Sequence, residues 1–373
     1  MTNTPELREQ CATQLEAAAS RVSSLSAFIG LDGFVDEILH VVDKRENAEL
    51  FTRVPTIAQF SERLAGAAGK STNVELVGRM RKLGGNGPIM ANALASLGLK
   101  VTYVGNLGWP NLHPVFEDFA RRAEVHTIAA PGLTDALEFN DGKIMVGKHE
   151  SLKDITWDNV KSRWSAEEFG ARFATASLVG FVNWTMIPFM SDVWATLLQD
   201  LCPRINGERR KIFFDLADPE KRLESDIRRA LDLIVAFQKY FDVILGFNEK
   251  ETGEIARVLG LKPAHTPEGL RDLSVEIHKR IPVHTLVVHP VAYALCVSAR
   301  GVSSVLGPMT AKPLITTGAG DHFNSGFCTG RLLGLDDQFC LLTGVSTSGF
   351  YVRTGKSPNL HELAGMLRNW PLD

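Results

Sequence analysis

Thr316-Thr317-Gly318-Ala319-Gly320-Asp321-His322-Phe323-Asn324-Ser325-Gly326 follows Pro313 and leads into an apolar helical pattern, Phe323 to Leu333. Small residues let a backbone approach a ligand closely, and here they open a helix. The first amides of a helix have no intrahelical partner and carry a partial positive charge. Such a terminus binds an anion, typically a phosphate. An acid just inside it faces the reaction partner of that anion, so Asp321 is placed to accept a hydroxyl proton while the amides hold developing phosphoryl charge. The bland alternative is a capped helix behind a glycine turn; the Thr pair and three further motifs weigh against it.

Outward from this stretch, apolar runs of strand length alternate with helical patterns. The runs are Ser26–Leu31, Lys100–Val104, Ser177–Val182, Lys211–Asp215, Val243–Leu245 and Thr285–His289. Between them lie helical segments such as Phe189–Leu201, Asp226–Tyr240 and Asn248–Leu259. Buried strands spaced by helices imply βαβ units and a mostly parallel sheet covered on both faces. Two regions break this rhythm. Residues 37–83 contain Ile38–Val42 and Asn73–Leu83, which alternate like half-exposed strands. Residues 124–148 contain Ala136–Phe139, Asn140-Asp141-Gly142 and Lys143–Val146, a hairpin signal. Both are expected to form a small β-sheet lid on one α/β domain spanning 1–373, since no Gly/Ser/Pro-rich linker marks a second unit.

Three further stretches carry chemistry. Gly84-Gly85-Asn86-Gly87-Pro88 opens an Ala-rich helix that Gly98 closes. The double glycine lets amides touch a small polar molecule, and Asn86 offers a donor and an acceptor to sugar hydroxyls. Gly30-Leu31-Asp32-Gly33-Phe34-Val35-Asp36 ends the first strand, and ligands of parallel sheets gather at carboxyl ends of strands. Asp32 and Asp36 are therefore candidates for binding vicinal hydroxyls; turn capping is an equal alternative for Asp32 and a lesser one for Asp36. Asn248-Glu249-Lys250-Glu251 opens a helix after a strand. Asn248 and Glu251 share a helical face and can position waters on a phosphate-bound Mg²⁺, or simply form a capping box.

In this order and spacing, the Gly-Gly stretch, the Asn-x-x-Glu pair and Thr-x-Gly-Ala-Gly-Asp resemble the ribokinase-like, or PfkB, carbohydrate kinase family, over about Ala27 to Lys356. The resemblance implies a three-layer αβα sandwich with a β lid, and phosphoryl transfer from ATP to a sugar or nucleoside hydroxyl. It makes Asp321 the catalytic base and Gly318, Ala319 and Gly320 the anion hole. Asp36, Gly84, Gly85 and Asn86 then meet the sugar, joined by the candidate Asp32. Asn248 and Glu251 support the nucleotide, with Glu251 serving Mg²⁺ through water, and Thr316 and Thr317 are candidate nucleotide contacts. The family's acid is replaced by Ile315, which argues against a bound monovalent cation. Gly-x-Asp-x-x-x-Asp and Pro88-Ile89-Met90-Ala91-Asn92 are similar to the ADP-dependent branch, so ADP is the alternative donor to the favoured ATP. A nucleoside substrate, clamped by Phe34 and Phe139, and a non-catalytic sugar-binding regulator are the competing readings.

The chain has 373 residues, with 40 basic and 43 acidic side chains, 45% hydrophobic and 22% charged residues. A net charge of −3 argues against nucleic acid as main partner, because phosphate backbones require a basic excess. Five cysteines without Cys-x-x-Cys fit a reducing compartment and single buried thiols. Met1 to Ser26 reads as a polar amphipathic helix and no long apolar run occurs, so no membrane association and a cytoplasmic location are expected. A homodimer through the lid is the candidate assembly.

Overall fold

The computed structural model describes residues 3–371. Its main sheet has nine strands in the order β14-β13-β12-β11-β10-β9-β1-β5-β6, numbered along the chain. They are β1 (Ser26–Leu31), β5 (Lys100–Gly105), β6 (Glu124–Thr127), β9 (Leu178–Phe181), β10 (Arg210–Asp215), β11 (Phe241–Phe247), β12 (Thr285–Val288), β13 (Tyr293–Ser298) and β14 (Gly301–Leu306). From β6 to β12 all pairs are parallel; β12, β13 and β14 are antiparallel. A smaller sheet holds β2 (Phe34–Arg45), β3 (Phe51–Arg53), β7 (Gly132–Phe139) and β8 (Gly142–Lys148), with β4 (Leu76–Gly84) paired to β2.

Successive side chains of a strand point to opposite faces, and here both faces are buried. Ile212 and Phe214 of β10 and Val243 and Leu245 of β11 enter one apolar cluster, whereas Phe213 and Ile244 enter the other. This explains why the strands read as continuous apolar runs: helices cover both sides. The lid has its own cluster, Leu39, Val41, Val54, Phe60, Leu137 and Phe139.

The helical readings hold within a few residues: Pro5–Val22, Met190–Thr196 continued by a π turn, Glu224–Phe237 and Glu249–Val258. The lid boundaries need correction. Glu124–Thr127 belongs to the main sheet, pairing in parallel with β5. The lid consists of Phe34–Gly84 and Gly132–Lys148, and its first strand starts two residues after β1 ends. All five cysteines are free and buried. Among the described residues no helix is long and apolar enough to cross a membrane.

Phe213 is fully buried at the middle of the sheet and packs against the backbone of Gly246 on β11. Phe213→Ala is expected to cost about 3–5 kcal/mol of unfolding free energy, measured by urea denaturation; a loss under about 1 kcal/mol would show that the neighbouring helices refill the space.

Candidate active site

The carboxyl ends of β1, β9, β10 and β11 bring Asp32, Asn183, Asp215 and Asn248 to one edge of the sheet. Across from them, helix Ala319–Leu332 starts behind Gly318, whose φ of 94° and lack of a side chain are both required. A Cβ there would lie 3.2 Å from Ile89 and 3.3 Å from the Tyr351 hydroxyl.

The residues of the opening motif divide between two cavities. Thr317, Gly318 and Asp321 line a polar one of about 260 Å³, together with Asp36, Gly85 and Asn86. Thr316, Ala319 and Gly320 line an apolar one of about 340 Å³, walled by Pro290, Met309, Phe323 and Val352 and reached by Asn248. The loop is thus a partition between a sugar-sized polar space and an apolar space suited to a flat base.

Asp321 is 6% exposed, and its Oδ1 accepts a hydrogen bond from Asn86 Nδ2 at 3.0 Å. Burial, opposed by that hydrogen bond and reinforced by Asp32 and Glu251, pushes its carboxyl up to about 8. The Ala319 amide is already engaged by the Thr316 carbonyl at 3.1 Å, so it is a weaker anion donor than its place in the motif suggests. His322 faces away from the base role. Burial lowers it to about 4, so it is neutral. Its Nδ1–H donates to the Gly318 carbonyl (2.7 Å), and its Nε2 accepts from Ser357 Oγ (2.9 Å).

The glycine motif sits as expected, with one change of role. Gly85 has φ 94°, and a Cβ would lie 2.9 Å from Asp32 Oδ2. Asp36 is 4% exposed, lines the polar cavity and packs its carboxyl over Gly84. Asp32, expected to meet the sugar, lies beneath the loop instead. It is fully buried and accepts from Asn86 N (3.0 Å), Gly87 N (2.8 Å) and Asn183 Nδ2 (2.7 Å), with the Tyr103 hydroxyl against its backbone carbonyl. Its oxygens are committed to the protein, so it holds the loop in place.

Asn248 and Glu251 form a capping box: Asn248 Oδ1 accepts from Glu251 N and Glu251 Oε2 from Asn248 N, both at 2.9 Å. Glu251 Oε1 also accepts from Asp218 N at 3.0 Å. Burial, then the nearby Asp215, raises the Glu251 carboxyl, and burial and Asp321 raise that of Asp215. Of the two readings of the pair, the structure shows the capping box, with the Glu251 carboxyl buried beside Asp215 and lining neither cavity.

Sequence reasoning missed Asn183 and Asp215. Asn183 is 3% exposed, in the left-handed region (φ 61°), and lines the polar cavity next to His149 and Lys221. Asp215 is bonded to Ala217 N and Asn324 Nδ2, both 2.9 Å. Asp215 ends β10 and Asn183 lies two residues past β9, at the carboxyl ends of parallel strands where ligands gather, but neither belongs to a multi-residue motif.

An apolar cavity and a polar cavity meeting across helix-terminal amides and a buried acid fit a ribokinase-like carbohydrate kinase. The neighbours in structure agree on the fold: ribokinase of Arabidopsis thaliana complexed with ribose and ATP (TM-score 0.61, 15% identity, 92% of this chain and 98% of that one) and phosphofructokinase-2 of Escherichia coli (TM-score 0.60, 14% identity, 93% and 98%). A curated ketohexokinase of Haloferax volcanii is 29% identical over 350 residues, covering 93% of this chain and 92% of its own. The model of the prokaryotic ketohexokinase family matches residues 2–370, and the chain belongs to that family.

The buried acids make stability pH-dependent. The folded Asp321 carboxyl sits at about 8 against an unfolded value of 3.8. Between those values the folded state binds more protons, so stability is lost as pH rises. Asp321→Asn removes this contribution. The melting temperature of the ligand-free variant should therefore exceed that of the parent by a margin that widens from pH 5 to about pH 8.5. A constant margin in thermal melts across that range would contradict it.

Proposed function

We propose that the protein transfers the γ-phosphoryl group of ATP to a hydroxyl of a ketohexose, with Asp321 as base. The observation that carries this reading is the partition: the stretch from Thr316 to Asp321 lines both cavities in alternation, so a phosphoryl group in one lies beside a hydroxyl in the other. The ketohexose comes from the family and from the Haloferax volcanii relative.

The apolar cavity takes the nucleobase, and the phosphates run toward the amides of Gly318 and Gly320. Asp36, Gly85 and Asn86 hold the sugar in the polar cavity, with Asn86 bonded at once to the base and to the substrate side. Asp321 takes the hydroxyl proton as the oxygen attacks, and the helix terminus holds the charge developing on the phosphoryl oxygens. A carboxyl near 8 in the empty site is close to the working pH of a general base.

Mg²⁺ would supply charge neutralisation for the phosphates. Among the described residues no three His, Cys, Asp or Glu side chains come together as direct metal ligands. Burial first, and then one another's charge, raise the carboxyls of Asp215, Glu251 and Asp321, and a cation held on the phosphates through water would favour their ionised forms. A nucleoside acceptor fits less well. Phe34 lines the polar cavity, but Phe139, its partner in the proposed clamp, packs against Phe60 inside the lid.

Two experiments test this. In a panel of D-fructose, D-glucose, D-ribose and adenosine with ATP or ADP, read by release of the spent nucleotide, fructose with ATP should have the highest kcat/KM by at least about tenfold. Turnover confined to adenosine or to ADP would reject the substrate or donor assignment. Asp321→Asn should lower kcat by roughly 10²–10⁴-fold with sugar and nucleotide affinities nearly unchanged. His322→Gln, which loosens the loop without touching the proton path, should lose far less, and the reverse ranking would remove Asp321 from the base role.

A further inference from the structure

A third cavity, of about 660 Å³, shares one residue, Ile89, with the polar cavity and none with the apolar one. It lies between β4, helix Asn86–Ser96, the segment 114–122 and the turn Gly355-Lys356-Ser357. Its lining is strongly basic for a chain whose net charge is −3. Arg81, Lys82, Arg122 and Lys356 contribute, against a single acid, Asp118. That acid is bonded to Arg121 at 2.9 Å, Arg81 is matched by Glu37 at 3.2 Å and Lys82 faces Asp36 across the β2–β4 pair; Arg122 and Lys356 lie outside these pairs. A concave surface of one sign, walled by protein of low dielectric, concentrates counter-ions.

One wall is built from the side chains that hold the anion-hole loop. The rings of His322 and Tyr351 stack, 3.6 Å between centroids and 12° between planes. His322 Nδ1–H donates to the Gly318 carbonyl and the Tyr351 hydroxyl to the Thr317 carbonyl (2.9 Å). Ser357, on the rim beside Lys356, completes the chain by donating its hydroxyl hydrogen to His322 Nε2. An anion bound at Lys356 would compete for that hydroxyl, and His322 would lose the partner that fixes its ring against Gly318.

We propose that this cavity is an effector site for a small phosphorylated molecule, and that its occupancy slackens the anion-hole loop through Ser357 and His322. The chemistry that recognises the ligand is a phosphate group between Arg122 and Lys356, and the volume leaves room for a sugar-sized remainder. The proposal stands independently of which sugar is phosphorylated, since it concerns the loop common to any acceptor.

The test uses inorganic phosphate as probe, with free Mg²⁺ held constant. Phosphate should lower kcat and be non-competitive against both ATP and sugar, because neither substrate cavity is the one it fills. The double variant Arg122→Gln/Lys356→Gln should retain uninhibited turnover and raise the inhibition constant at least fivefold. Arg271→Gln, an exposed charge remote from the cavity lining, should leave it unchanged. Melting temperatures of the variants within about two degrees of the parent confirm intact folding. Competition with ATP or sugar would place the phosphate in the active site and overturn the proposal. So would the absence of inhibition, or an inhibition constant untouched by the double variant.

Discussion

The carboxylate of Asp32 accepts hydrogen bonds from two amides at the start of helix Asn86–Ser96 and from the Asn183 side chain, and the rest of the sugar side depends on that arrangement. A fully buried acid is costly unless its lone pairs are met. Here they are met by two segments distant in sequence: the glycine motif and Asn183, two residues beyond β9. Burial still raises the carboxyl, to about 6, against the pull of those hydrogen bonds. The helix dipole stabilises the charged form at the same place. Because Asn86 is the residue whose amide Asp32 holds, its side chain is fixed where it can reach Asp321. The clamp under the loop and the base above it are thus joined by one amide side chain.

Three other buried acids obey a different rule. Asp215, Glu251 and Asp321 are buried close enough to raise one another. Hydrogen bonds from backbone and side-chain amides pull their pKa values back down. Glu251 illustrates the economy of the arrangement, since both its oxygens are bonded to backbone amides. Its hydrogen bonds thus tie the start of helix Glu249–Val258 to the turn at Asp218.

Much of this was legible in the sequence, for definable reasons. Strands buried on both faces read as unbroken apolar runs, and Asn140-Asp141-Gly142 marked the β7–β8 hairpin by turn chemistry alone. The opening motif was legible because Gly318 and the acid behind it are chemically unusual at a helix start. Glu124–Thr127 was misplaced because it is an edge strand: one side of β6 lacks a partner, so its polar alternation looks like that of the lid. Asp32 and Asp36 are indistinguishable as letters in a loop. Only the fold shows that one points down under Gly85 and the other out over Gly84. Asn183 and Asp215 are single polar residues after apolar strands, a signal too common to single out without knowing which strand ends converge.

The spacing of those two aspartates has a consequence for how the site works. β1 belongs to the main sheet and β2 to the lid, and only Asp32 and Gly33 separate them. Asp32 is therefore tied to the body that carries Asp321, while Asp36, four residues on, is tied to the sheet that covers the sugar. In the proposed reading, a substrate bridging Asp36 and Asn86 connects the two bodies across the short segment Asp32–Asp36. A shift of the lid would then move the sugar's hydroxyls relative to the proposed base, which stays with the helix Ala319–Leu332. The position of the lid and the alignment of the nucleophile are then the same variable, and sugar binding energy can be used to set the attack geometry instead of only tightening the complex.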